Sequence, residues 1–242
     1  KNKRSTVIWP FGAVEQHGPH LPLATDSIFV DEIISEVFKL FPPDIPLKKL
    51  PTQYIGFSPE HKGFAGTISL SSNLITSMIK EVGSQLSEMG FKRLILINGH
   101  GGQISLLNTA ARELRSFSPG MAVFPCFLWS GVNGLSELLT KTEIENGLHA
   151  SLAETSLMLA LKPELVGDER PNESIKGLIP EGWSLEGNAP TAWLTDDFSK
   201  SGVIGDSRGA NESLGKNLKE LLINHWFKLI MNLMQSDWPN NS

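Results

Sequence analysis

The chain has 242 residues, 40% hydrophobic and 19% charged, a globular balance with ample material for a core. Its formal net charge is -5 and its lysines and arginines form no clusters, which argues against nucleic acid or a polybasic membrane surface as partner. No apolar run reaches the length of a membrane span, and the one cysteine, Cys126, has no partner for an internal disulfide, so a cytoplasmic chain is expected.

The basic start, Lys1 to Arg4, leads into Val7-Ile8-Trp9, too short for a signal-peptide core and bounded by turn residues like a buried strand of a parallel sheet. Next comes Glu15-Gln16-His17-Gly18-Pro19-His20-Leu21-Pro22-Leu23-Ala24-Thr25-Asp26, which crowds carboxylates and imidazoles into one Gly/Pro-punctuated segment. Extended backbone at Glu15 and His17 would point both side chains to one face, since direction alternates with period two. Asp26 can return to the same place, or simply cap the helix read from Ile28 to Phe41, which stops at Pro42-Pro43. A short strand over 47–54 and a Gly-rich loop from Gly56 to Thr67 follow, the loop carrying Glu60 and His61. Polar loop residues of this kind are exposed by default. The extended Ile68-Ser69-Leu70 leads to a helix capped by Ser72 or Asn73, running to Met89 with Gly90 as terminator.

Arg93 to Asn98 is the clearest buried strand, and it ends in Gly99-His100-Gly101-Gly102 before helical periodicity resumes from Ile104 to Phe117. A strand, a glycine turn and a helix form the unit of doubly wound sheets. The turn lacks the third glycine of a dinucleotide fingerprint and the Lys-Ser/Thr of a phosphate loop. Met121 to Trp129 reads as a further strand, with Cys126 a buried structural thiol inside it. Leu152 to Leu161 is a helix ended by Pro163. Just before it, Ser151 and Glu154 match a capping box, a purely structural role for Glu154. The stretch 166–209, with Trp183 and Trp193, is irregular and reads as a site cover or a subunit contact. Leu214 to Met234 is an amphipathic helix on which His225 is structural, and 237–242 a frayed tail. With no repeat and no linker, residues 1–242 read as one domain.

Three strand-to-helix junctions thus carry histidine with an acidic residue. In open α/β sheets, ligands collect at the carboxyl ends of strands. His100 can be a plain turn residue, but together Glu15, His17, Asp26, His100 and Glu154 form a thiolate-free set suited to Zn, Mn or Fe. Five ligands exceed the three that one catalytic zinc keeps from protein. They suit two divalent metal ions bridged by a shared carboxylate, an arrangement that activates water for hydrolysis.

The segment from Glu15 to Pro22 with Asp26, the run Asn98-Gly99-His100-Gly101-Gly102, and His149 through Glu154-Thr155-Ser156 resemble the signature of the creatininase (creatinine amidohydrolase) family; Gly66-Thr67-Ile68-Ser69-Leu70 is similar to another family segment. The resemblance spans most of the chain. It implies a three-layer α/β/α sandwich around a mostly parallel sheet, a binuclear metal centre, hydrolysis of a C–N amide or cyclic amide bond outside peptides, and a homo-oligomer, often a hexamer. It also implies roles: Glu15 and His100 on one metal, His17 and Glu154 on the other, Asp26 between them, and His149 as the acid/base. His20, Glu60 and His61 are then candidates to contact a small-molecule amide substrate, with His20 equally suited to orienting a ligand. Three departures bear on substrate and termini. Gly102 stands where true creatinine hydrolases carry an acidic residue, which argues against creatinine and leaves a formamide deformylase or a peptidase as alternatives. Ala65 replaces a usual proline, and an N-terminal helix typical of the family is expected to be absent or trimmed.

The rival from another class is a catalytically silent metabolite-binding protein on the same fold, whose mark would be loss of a ligand or of His149. Neither is lost. A serine or cysteine hydrolase is weaker, since no G-x-S-x-G elbow occurs and Cys126 sits among apolar residues.

Overall fold

The structure, a computed structural model, describes residues 4–239 except Ser174, Lys176, Gly177 and Asn188. The ends of the basic start and of the tail, 1–3 and 240–242, therefore lie outside the described residues. Strands β1 (Thr6–Phe11), β2 (Leu47–Lys49), β3 (Arg93–Asn98) and β4 (Ala122–Phe127) form a parallel sheet in the order β2-β1-β3-β4. Helices α1 (Thr25–Lys39), α2 (Ser72–Glu88), α3 (Ile104–Phe117), α4 (Leu135–Leu138), α5 (Lys141–Asn146), α6 (Leu152–Leu161) and α7 (Glu212–Gln235) surround it.

The alternation of side chains along β1 and β3 builds the layers. Ile8, Ile95 and Ile97 point to one face, into a core completed by α1, α6 and α7. Val7, Trp9, Phe11, Leu94 and Leu96 point to the other, against α2 and α3. Both faces of these strands are covered, which is why they read as continuous apolar runs rather than alternating ones. Each fully buried Ile, Leu or Phe contributes about 1.5–3 kcal/mol by leaving water. The fold is the expected α/β sandwich with a parallel sheet between helical layers.

Strand boundaries differ from the expectation at two prolines. Strand β1 continues through Pro10 to Phe11. Pro10 is tolerated because β2 has already ended at Lys49, and the Pro10 carbonyl accepts the Gln53 N–H at 2.9 Å on that side. Strand β2 is cut to three residues, with Pro51 breaking the run expected to reach residue 54. Helix α2 takes its cap from Ser71, whose hydroxyl accepts the Leu74 N–H, rather than from Ser72 or Asn73.

Strand order fixes where a site can form. From β1 the chain moves to β2 on one side, while β3 and β4 lie on the other, so the carboxyl ends of β1 and β3 flank the switch point of the sheet. Ligands bind there in open α/β folds. The irregular 163–211 stretch, with the antiparallel pair β5 (Asn172–Glu173) and β6 (Gly205–Asp206), passes over this edge on a small apolar cluster of Ile175, Leu185 and Ile204. Among the described residues, no helix is long and apolar enough to cross a membrane.

Candidate metal centre

The three histidine-bearing junctions meet at the switch point. Glu15 and His17 leave β1, Asp26 sits in the first turn of α1, His100 follows β3, and His149 and Glu154 flank the start of α6. Glu15 and His17 are fully buried, and Asp26, His100 and His149 are nearly so. Gly99 allows the junctions to close up: a Cβ there would lie 2.5 Å from the Asp26 carbonyl oxygen.

Both structural alternatives for the carboxylates give way. Asp26 does not cap α1; Ala24 occupies that position without a side-chain bond, and Asp26 turns its carboxylate inward. Its Oδ1 lies 3.3 Å from His17 Nε2 and its Oδ2 lies 3.2 Å from His100 Nδ1, so one carboxylate faces both imidazoles. The capping box at α6 is not made. The Ser151 hydroxyl donates to Glu143 Oε2 at 2.8 Å instead of closing the helix end, and Glu143 also accepts the Ala153 N–H at 2.9 Å. Glu154 Oε2 accepts the Ala150 N–H at 2.7 Å and lies 4.0 Å from His17 Nε2. Ala150 holds a positive φ of 52°, strain kept beside the site by that bond.

Hydrogen bonds on the outer nitrogens set the tautomers of three rings. His17 Nδ1–H donates to the Glu15 carbonyl at 3.2 Å, His100 Nε2–H to the Phe57 carbonyl at 3.1 Å, and His149 Nε2–H to the Gln16 carbonyl at 2.7 Å. Each then turns its other nitrogen to the cluster, the one that a metal ligand or a base uses. His149 Nδ1 lies 3.8 Å from Glu15 Oε1.

The 56–67 loop corrects the default of exposure. Glu60 and His61, on a short helical turn over Pro59–His61, are buried. His61 Nε2 lies 3.2 Å from Glu15 Oε1, and its ring stacks on His149 at 4.2 Å. Glu60 Oε1 lies 3.1 Å from His100 Nε2, in space that a Cβ on Gly102 would claim. The loop is held shut by Thr195, whose hydroxyl meets His61 Nδ1 at 2.7 Å. His20 does not line the cavity that exposes the other candidates; its Nε2 bonds Thr155 Oγ1 of α6 at 2.8 Å, so its place is behind the cluster rather than against a substrate. His225 packs edge-on to Trp226 on α7, away from the cluster.

Electrostatics mark the same groups. Burial pulls the His17 imidazole down, but Asp26 and Glu154 outweigh it and raise it to about 9. Burial disfavours the Glu15 carboxylate, yet His100 and His61 hold it well below the usual range. Burial lifts Glu154 to about 7 against the pull of His17. Burial, then His61 and His17, push His149 well below an ordinary imidazole. Such opposed shifts in one cleft are typical of functional sites.

The donor set fits divalent ions. Glu15 Oε1 and Oε2, His17 Nε2, Asp26 Oδ2 and Glu60 Oε1 are buried without any hydrogen bond. Leaving such groups unsatisfied costs about 1–3 kcal/mol each, more when charged. Three groups of ligand atoms, Glu15/His17/His149, Glu15/Glu60/His100 and His17/Asp26/Glu154, each lie within 4.8 Å of one another. Two divalent cations would balance the four carboxylates Glu15, Asp26, Glu60 and Glu154.

A cavity of about 250 Å³ opens onto the cluster, bounded by Trp129, Leu139, Glu143, Glu186 and Trp193. The sequence reading singled out Trp193 only as part of a possible cover and missed Glu186 altogether. Trp193 meets His61 edge-on at 6.3 Å, whereas Trp183 is 60% exposed. Cys126 contributes nothing here: burial pushes its thiol up to about 11.

The Creatininase family model, described as creatinine amidohydrolase, matches residues 1–230. A mycofactocin precursor peptide peptidase of Mycobacterium tuberculosis is 30% identical over 227 residues, covering 88% of this chain and 79% of its own. A 3-dehydro-scyllo-inosose hydrolase of Thermotoga maritima is 26% identical over 253 residues, covering 95% and 78%. A solved structure of a putative creatinine amidohydrolase from Bacteroides fragilis superposes with a TM-score of 0.79 at 22% identity, over 97% of this chain and 91% of that one, a likeness of fold. With fold, family match and buried donor set in agreement, the chain belongs to the creatininase family and is a metal-dependent hydrolase.

Proposed function

We propose that the chain is a single-domain amidohydrolase with two divalent ions, Zn, Mn or Fe, cleaving a C–N amide or cyclic amide bond. The observation that carries this reading is the buried set of carboxylate and imidazole atoms without hydrogen bonds at the sheet switch point. Glu15 and His100 would hold one ion and His17 and Glu154 the other, with the two oxygens of Asp26 facing His17 and His100 in turn. When bound, the ions acidify a water and polarise the amide carbonyl. His149 handles the proton: burial and its imidazole neighbours favour its neutral form, and Gln16 holds it by Nε2 so that Nδ1 faces the cluster, 3.8 Å from Glu15 Oε1. Trp193 and the segment around it exclude water from one side.

A small or cyclic amide suits the 250 Å³ cavity, and Gly102 argues against creatinine. A peptide is a second reading. A further cavity of about 650 Å³ shares Glu60, Gly101, Gly102, Glu186 and Trp193 with the first, offering room for an extended chain, and the M. tuberculosis relative is named a peptidase. The same reading has the chain in the cytoplasm as a homo-oligomer, with the hexamer common in the family as the expected assembly, measurable by light scattering. The test is elemental analysis after re-equilibration with Zn and Mn, followed by a chelator-controlled screen of formamides, cyclic amides, creatinine and short peptides. About two ions per chain with chelator-sensitive hydrolysis supports the proposal. Near-zero metal content overturns it in favour of a binding protein.

A further inference from the structure

Of the four imidazoles in the cluster, His61 alone is wired in reverse. The Gln16 side chain determines this, and its orientation is over-determined. Its Oε1 accepts the Gly18 N–H at 3.0 Å, so its amide nitrogen is the atom that donates to the Gly202 carbonyl at 3.0 Å and to His61 Nδ1 at 2.9 Å. Thr195 Oγ1 meets the same Nδ1 at 2.7 Å. A nitrogen that accepts from an amide N–H carries no proton. A ring proton therefore sits on Nε2, and that nitrogen stands 3.2 Å from Glu15 Oε1 and 4.0 Å from Glu60 Oε1.

We propose that His61 is a positioning residue that acts through Glu15: Gln16 and Thr195 lock its tautomer, and its Nε2–H is presented to the carboxylate that holds the first ion. The inference rests on the metal-centre reading and deepens it. The lock excludes His61 as a metal ligand, since a bare Nε2 would need a proton on Nδ1 pointing at the Gln16 amide hydrogens. It also commits both ring nitrogens, which removes His61 from the residues that recognise substrate. An N–H that faces Oε1 of Glu15 at 3.2 Å leaves Oε2 for the ion and biases the plane of the carboxylate; outer partners of this kind typically change metal affinity by roughly 10–100-fold. Thr195 and Gly202 both belong to the segment that covers the cavity, so seating of that segment and orientation of Glu15 are one event.

The test uses nitrogen-15 NMR of the imidazoles in the Zn-loaded chain, with His61 assigned by its loss in His61→Gln. The expected spectrum shows His61 with bare Nδ1 and protonated Nε2. In parallel, Zn affinity is read by competition with a chromophoric chelator. His61→Ala should weaken it roughly 10–100-fold, and His61→Gln, which restores a side-chain N–H, should recover part of that loss. Gln16→Glu replaces the donor by an acceptor and should move the proton to Nδ1. A protonated Nδ1 in the parent chain, an unmoved proton in Gln16→Glu, or unchanged Zn affinity in His61→Ala would each overturn the proposal. None of these readouts uses turnover. Failure of the hydrolase reading would show instead as a parent chain that binds no metal.

Discussion

At the amino end of β3, Arg93 is completely buried, yet each of its donor nitrogens meets a carbonyl: Nε that of Trp238 at 2.6 Å, Nη1 that of Leu233 at 2.8 Å, and Nη2 that of Ser236 at 2.7 Å. It thereby satisfies carbonyls at the end of α7 and ties the last helix to the sheet. Beyond the carboxyl end of the same strand, Glu15 beside His100 is equally buried, and both its oxygens lack a hydrogen bond. The two ends of one strand thus border two kinds of buried charge, one satisfied internally and one left open. The satisfied one is architecture. The open one costs stability in the ion-free chain and is explained only by what it binds.

The largest expected effect comes from removing the carboxylate between the two imidazole sites. Asp26→Ala should drop metal content from about two ions per chain to below one by elemental analysis. It should also abolish hydrolysis, a loss well beyond the roughly 10–100-fold of outer partners. Retention of both ions would show that the open end is not organised around Asp26. His149→Ala should keep the metal and lower turnover by roughly 10²–10⁴-fold. If it stripped an ion instead, the Glu15/His17/His149 grouping would be a binding site in its own right.

The opposite end of the strand should respond in the opposite currency. Arg93→Leu removes the donor from the Trp238 and Ser236 carbonyls, while the Leu233 carbonyl keeps Ser236, and should cost about 1–3 kcal/mol of stability in denaturant unfolding, with metal content unchanged. Loss of metal in that variant would mean that the two ends are coupled. A pH series separates them further. His17 is raised from 6.5 to about 9, so in the metal-free chain its contribution is fully present below about 6.5 and is lost as pH rises through about 9. The melting temperature of the metal-free chain should therefore fall across that window. The metal-loaded chain should not follow it, because an ion replaces the proton on His17. Parallel curves would break the argument that the cluster is made for cations. The smallest effect is expected at Cys126, where Cys126→Ala should leave hydrolysis unchanged and iodoacetamide at pH 8 should react slowly with the parent thiol.

Much of the buried cluster was legible before folding because its residues follow strands. Glu15, His17 and His100 sit at turns directly after apolar runs, and a parallel sheet delivers such turns to a common edge. The same local logic misjudged the 56–67 loop. Glu60 and His61 read as exposed loop polars, and only the docking of Thr195, 134 positions away, buries them. Glu186 carried no local signal, since a lone acid in an irregular stretch has no periodicity to interpret. Glu143, which satisfies the start of α6 in place of a self-made capping box, was invisible for the same reason.

By itself, the sequence determined the layered α/β class, the junctions that bear the histidines and carboxylates and the hydrolytic family, because strand hydrophobicity, glycine turns and residue type are local properties of the chain. Tertiary structure alone decided which tautomer each imidazole adopts, that Asp26 faces two sites at once, that the 56–67 loop is interior, and that Arg93 is a strut. Those are properties of hydrogen bonds between residues far apart in the chain, and a buried polar atom acquires its meaning only from whether such a partner arrives.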